Sequence, residues 1–280
     1  IGFKADEDTF SSGVGSQKNL GSSSDDPVAG MYEPPSDRLL SLVQAMLAKK
    51  LPKYDVVTPE SVRAHAFLTL GKLCLRNENL AKSSLTILAR ELHKSDSDMH
   101  PSVQSNALLV LGDLCVRYTN LVDRYLPVMA RCLQSGIADQ TSNSLFDGTQ
   151  DQTSLVRKHA VLLLTGLLLQ DYIKWRGLLF QRFLVATADR DEGVARLAEM
   201  SLCGPLLKKH PKLFFNNFVE SLFVLNKFTS HPLYAAAASA GDNGAGVTVG
   251  FEGINLSGEA GRAARNHIYA TAISKMSSEE

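Results

Sequence analysis

The stretch SLVRKHAVLLLTGLLLQDYIKW, Ser154 to Trp175, decides how the rest of the chain is read. It places Val156, Ala160, Leu164 and Leu167 on the i, i+4, i+8, i+11 stripe of an amphipathic helix. The same template stands upstream at Val62, Ala66, Leu70, Leu73 and at Val103, Ala107, Leu111, Leu114. A weaker copy follows at Val194, Ala198, Leu202, with Pro205 in the fourth position. One stripe repeated along a chain is the signature of stacked helical units, none of which can bury its apolar face alone.

The spacing of the copies gives the period. Their first residues lie 41, 53 and 38 apart. The long interval contains QSGIADQTSNSLFDG, polar and turn-prone, read as a loop insertion over 135–153. Without about a dozen of its residues the period returns to ~40, that of HEAT-type helix pairs. The expectation is an all-α HEAT-repeat solenoid over 36–230, with repeat helices near 59–93, 101–134, 154–187 and 191–228.

Each repeat carries its own punctuation. Pro59 and Pro101 suit the first turn of a helix. Asp191 and Glu192 suit an N-terminus by charge. Gly204-Pro205 is expected to kink or end the first helix of the fourth repeat. The helix that follows it, with Phe214, Phe215, Phe218, Leu222, Phe223 and Leu225, is expected to bury them all. Before the repeats, DRLLSLVQAMLAKKL reads as a helix stopped by Pro52. Residues 1–35, rich in Gly, Ser and Asp, read as a disordered tail. Residues 231–257 read as a flexible Ala/Gly-rich segment, and 258–280 as a final helix with the start of a truncated next element. The first residue, Ile1, and the capping-box spacing of Ser277 and Glu280 point to a piece of a longer protein.

The 29 basic and 29 acidic residues balance, but unevenly along the chain. Setting aside 1–35 and 231–280 leaves 24 basic and 18 acidic in the repeats, a net of +6 that is compatible with a polyanionic partner. Cys74, Cys115, Cys132 and Cys203 stand apart among apolar neighbours and read as buried reduced thiols of an intracellular protein. The longest apolar run, Ala160 to Leu169, falls short of the ~20 residues a membrane span needs.

The chemistry is sparse. Histidines 65, 93, 100, 159, 210, 231 and 267 have neither metal-ligand spacing nor a nucleophile motif. Gly241–Gly253 contains no phosphate-loop pattern. No catalytic, cofactor or metal residue is assigned. The candidate contacts are Arg157 and Lys158, then Lys208, Lys209 and Lys212, with Trp175 and Arg176 at the end of the opening stretch. Arg63 shares the register of Arg157, and such arginines can bond a neighbouring repeat's acid, for which Asp113 is available.

LGDLCVRYTNLVDRYLP (Leu111 to Pro127), VRKHAVLLLTGLLLQDYIKWRGLLFQRF (Val156 to Phe183) and KHPKLFFNNFVESLF (Lys209 to Phe223) resemble the HEAT-repeat D-type subunits of condensin, more in their condensin II version. The resemblance implies a non-catalytic scaffold that binds kleisin and SMC partners and chromatin DNA, in the nucleus on mitotic chromosomes. It implies no cofactor, no membrane and no small-molecule substrate. The rival readings are a transport receptor or coat adaptor that binds protein peptides alone, and an enzyme with a helical active site.

Overall fold

The computed structural model describes residues 37–47, 50–51, 56–93, 100–135, 153–232, 254, 256–259 and 261–276. The expected tail over 1–35, nearly all of the insertion over 135–153 and most of 231–257 lie outside these residues. The described part is an all-α stack of helix pairs.

Helix α1 (Asp37–Leu47) is followed by two-residue strands β1 (Lys50–Leu51) and β2 (Val56–Val57). The strands pair antiparallel, Lys50 opposite Val57 and Leu51 opposite Val56. The first pair is α2 (Glu60–Cys74) and α3 (Glu78–His93). Asn77 starts α3, its side-chain oxygen accepting the Leu80 N–H at 3.0 Å and so satisfying an N–H left open at a helix start. The second pair is α4 (Pro101–Arg117), with Pro101 in its first turn, and a segmented partner. That partner runs as α5 (Thr119–Val122), a 3-10 turn (Asp123–Tyr125), α6 (Leu126–Arg131) and a second 3-10 turn (Cys132–Gln134). Pro127 lies in the first turn of α6, where a missing N–H removes no intrahelical bond.

The third pair is α7 (Ser154–Leu169) and α8 (Leu179–Ala186). Asp171 closes α7 in the left-handed region, φ 62°, so that Tyr172 N–H reaches Leu167 C=O at 3.0 Å and Asp171 N–H reaches Leu168 C=O at 3.3 Å. Gly177, φ 53°, bends the connection, and α8 begins five residues later than Lys174, the start the apolar pattern suggests. The fourth pair is α9 (Glu192–Ser201), a π turn (Leu202–Leu206) and α10 (Leu207–Lys209), then α11 (Leu213–Leu225). Helix α12 (Arg262–Ser274) packs on α11 and α8.

First helices stack in the order α2, α4, α7, α9, and second helices in the order α3, α6, α8, α11. The stripe residues form the seam: Val103, Ala107, Leu111, Leu114, Val156, Ala160 and Leu164 are each at most 2% exposed. Glycine permits the closest approaches. A Cβ on Gly71 would lie 2.6 Å from Val110, and one on Gly112 would lie 2.4 Å from Leu163.

Three expectations change. Val62 is 38% exposed, because the neighbouring Arg63, not Val62, faces the end of α1. Gly204-Pro205 does not end its helix. The π turn takes in one extra residue, which accommodates the proline and turns Leu206, fully buried, into the seat that spacing gave to Pro205. Finally, α11 buries Leu213, Phe214, Val224 and Leu225, while Phe215 and Phe223 are 46% and 37% exposed. With Val219 they form a second, outward apolar face, so the helix is apolar on more sides than the stack covers.

Candidate docking surface and the ladder behind it

The residue after the first stripe position has the same place in each of the first three repeats, and there it is polar and buried: Arg63, Gln104, Arg157. Each reaches for the far end of a second helix. Arg63 donates to Leu47 C=O at 3.1 Å and pairs with Glu60 at 2.5 Å and Glu91 at 3.4 Å. Gln104 Oε1 accepts from the Ser135 hydroxyl at 2.8 Å. Arg157 makes a two-pronged pair with Asp189, Nε to Oδ2 at 2.7 Å and NH2 to Oδ1 at 3.0 Å. Its NH1 donates to Ser135 C=O and to Thr153 Oγ1, both at 2.8 Å. Deeper in, Arg182 and Gln134 exchange bonds, NH1 to Oε1 at 2.7 Å and Nε2 to the Arg182 carbonyl at 2.8 Å.

This ladder corrects one candidate. Arg157 is 1% exposed and spends its planar fork on Asp189, whose side chain is wholly buried, so it belongs to the interior and not to a contact surface. Asp113, the acid that sequence offered as an arginine partner, is exposed and forms no ion pair among the described residues. Lys158 lies beside Asp191, which it meets at 3.0 Å, and Asp191 also caps α9 by accepting the Val194 N–H at 2.9 Å. Lys158 and the capping bond together hold the Asp191 carboxyl below the ordinary range, against some desolvation.

The opposite edge of the stack carries the turns inside each pair, and three cross-repeat contacts show that these turns are neighbours. Tyr118 Oη donates to Leu75 C=O at 3.1 Å, joining the first turn to the second. Arg176 pairs with Asp123, joining the second to the third. Lys209 donates to Leu168 C=O at 3.1 Å and Leu169 C=O at 2.7 Å, and meets Asp171 at 2.7 Å, joining the third to the fourth. Lys209 therefore closes the C-terminus of α7, where carbonyls lack intrahelical partners. Its proximity depresses the Asp171 carboxyl.

Trp175 also turns out to be packing. Its ring stands edge-on to Phe180 at 5.9 Å and to Phe183 at 5.7 Å, an arrangement favoured by the ring quadrupoles. Lys208 and Lys212 are exposed. The structure thus brings Arg176, Lys208, Lys209 and Lys212 to one edge and sets Arg157 and Lys158 apart from it. Sequence reasoning missed Lys72, Arg117, Arg124 and Lys174 on that same edge. They stand singly along the chain, and aligning the four intra-pair turns is what would have found them.

Among the described residues no group of three or more His, Cys, Asp or Glu is placed to hold a metal ion. No helix among them is long and apolar enough to cross a membrane. The thiols are free, and burial pushes Cys115 up to about 11 and Cys132 up to about 12.

Comparison with known proteins falls on the same helix pairs. Residues 33–92 match the family model described as "Condensin-2 complex subunit D3-like. HEAT repeats". Residues 134–237 match that of the non-SMC mitotic condensation complex subunit 1. The chain is 35% identical over 176 residues to condensin-2 complex subunit D3 of Mus musculus, 63% of this chain and 10% of that protein. It is 39% identical over 176 residues to condensin-2 complex subunit D3-L of Xenopus laevis, with the same coverage. It is 37% identical over 131 residues to condensin-2 complex subunit CAP-D3 of Arabidopsis thaliana, 46% of this chain and 10% of that protein. The matched stretch is a tenth of each relative's length. No solved structure matches the chain.

Proposed function

Because this chain is a HEAT-repeat relative of the condensin-2 D3 subunits, we propose that it is a non-catalytic scaffold segment of a condensin II complex, acting in chromosome condensation in the nucleus. Its partners in this reading are the kleisin and SMC subunits and chromatin. The observation that carries the reading is that one condensin family model matches the first helix pair of the stack and a second matches the third and fourth pairs. A stack of such pairs presents a long surface suited to extended partners, and its buried polar ladder fixes the spacing from repeat to repeat.

The test is co-precipitation of the protein that carries this segment with a kleisin subunit and the SMC pair. The expected result is recovery of the complex, weakened when residues 37–276 are removed. Recovery of transport or coat components in place of kleisin would overturn the reading.

A further inference from the structure

We infer that α12 is a displaceable strap, seated in a groove that takes an extended segment of a partner protein. The inference goes beyond the scaffold reading, because it stands whichever protein supplies the segment. Helix α12 falls outside the order of the stack. Each first helix packs on the first helix before it, α4 on α2, α7 on α4 and α9 on α7. Helix α12 follows α11 in the chain, yet it packs on the second helices α11 and α8. The rings of α11 fix the side it lies on. Phe214 meets Phe180 of α8, with ring centroids 5.6 Å apart, and Phe218 meets Tyr269 of α12 at 6.3 Å. Phe218 lies about 40° round the helix from Phe214, away from the side that the buried Leu213 and Val224 turn to the interior. The strap therefore occupies the outer groove between α8 and α11.

The floor of that groove holds an amide that α12 does not serve. Every residue of α8 is buried. Phe183 turns to Trp175, Arg182 to Gln134 of the preceding pair, and Phe180 to α11. Gln181, about 160° round from Phe183, is turned to the remaining, outward side. It is fully buried, and among the described residues neither its Oε1 nor its Nε2 has a hydrogen-bond partner. An amide shut away from water in this state is unfavourable. A helix cannot relieve it, since the main-chain N–H and C=O groups of a helix interior are bonded to one another. The residues that α12 buries, Ile268 and Ala272, are apolar. An extended segment can relieve it, because its N–H and C=O groups are free and one glutamine amide both donates and accepts.

The strap is also lightly held. Of its thirteen residues only Ile268 and Ala272 are buried, and Ile273 is 60% exposed. A side-chain hydrogen bond joins it to α11, from Asn226 Nδ2 to Tyr269 Oη at 2.8 Å. Helix α12 thus keeps water off the apolar groove, and it yields to a segment that does the same and satisfies Gln181 as well.

Thirteen helical residues are ~20 Å long, a length that about six extended residues cover. The test therefore uses phage displaying random peptides of about ten residues. They are selected on the 280-residue chain carrying Ile268→Asp and Ala272→Asp, which unseat the strap from its own side. Selected peptides, labelled with fluorescein, are titrated by anisotropy. They are expected to bind this variant at least about tenfold more tightly than the parent, whose groove is open for only a fraction of the time. A proline placed at a central position, which no helix interior tolerates, is expected to leave that affinity in place. Adding Gln181→Leu to the variant is expected to weaken binding about tenfold, by stranding main-chain groups of the peptide. Hydrogen exchange on the parent needs no substitution in the strap. Amides of 262–274 are expected to exchange faster than those of α11, and faster still with peptide, while those of α8 slow. Gln181→Leu alone is expected to slow exchange in 262–274, since the orphaned amide is gone. The inference is overturned if no peptide prefers the variant, if proline abolishes binding, if Gln181→Leu leaves the affinity unchanged, or if peptide leaves exchange in 262–274 unmoved.

Discussion

Removing Asp189 tests the claim that Arg157 is an interior residue. In Asp189→Ala the guanidinium stays buried, 1% exposed, without the carboxylate that meets it at 2.7 and 3.0 Å. Breaking a buried pair by deleting one partner costs about 3–5 kcal/mol. Arg157 keeps its bonds to Ser135 C=O and Thr153 Oγ1, which places the cost near the lower limit, about 3 kcal/mol. At a urea slope of about 1–3 kcal/mol per molar, the unfolding midpoint should fall by about 1 M or more. Far-ultraviolet circular dichroism through a urea titration reads it. Arg157→Met with Asp189→Leu replaces the pair by apolar side chains and should recover most of the loss, since such replacements are often neutral or better. A midpoint for Asp189→Ala within about 0.3 M of the parent would refute the buried-pair account.

Four further outcomes are expected. Gly112→Ala places a methyl 2.4 Å from Leu163 and should destabilise by about 1–2 kcal/mol, overpacking outweighing helix propensity, whereas Gly166→Ala meets nothing within 4 Å and should stabilise by up to about 1 kcal/mol; thermal melts of the two variants compare them. Asp171 and Asp191 both titrate below their ordinary value, so each contributes stability that is complete above the unfolded pKa near ~4 and is lost as pH falls through the folded one; Asp191→Asn should therefore lower the neutral region of a stability-against-pH curve, read by urea titration, flatten its acid limb, and converge with the parent at the acid end. Cys203, half-buried, should react with a thiol reagent at pH 8 well before Cys132, whose thiol lies near 12, and mass spectrometry of the early adduct distinguishes them. Tyr118→Phe loses the bond to Leu75 C=O and should cost about 1 kcal/mol in the same urea assay.

Much of the fold was legible because apolar spacing and repeat period are local signals. Val103, Ala107, Leu111 and Leu114 lie on the seam where a 3.6-residue period puts them. Val62 failed because the stripe cannot say which flank of a helix the preceding element covers, and here that element bonds Arg63. Pro205 failed because counting assumes a constant turn, and the π turn shifts the count by one. The polar ladder was half visible. Arg63 and Arg157 share a register in sequence, but their acids, Glu91 and Asp189, come 28 and 32 residues later at the far end of a second helix, where no local rule points. The cations of the turn edge were least legible, since Lys72, Arg117 and Arg124 belong together only after the pairs have stacked.

The bond from Arg157 NH1 to Ser135 C=O ties the last described residue of the second pair to the first helix of the third. It clamps both ends of the seventeen-residue stretch 136–152 independently of what lies between them. Doubling a loop whose ends are fixed costs only about 0.6 kcal/mol in closure entropy, a small fraction of what the buried pair beside it is worth. The stack can therefore accept length variation here at little thermodynamic cost. This junction is where new sequence, and with it a new contact, can enter without disturbing the spacing of the repeats.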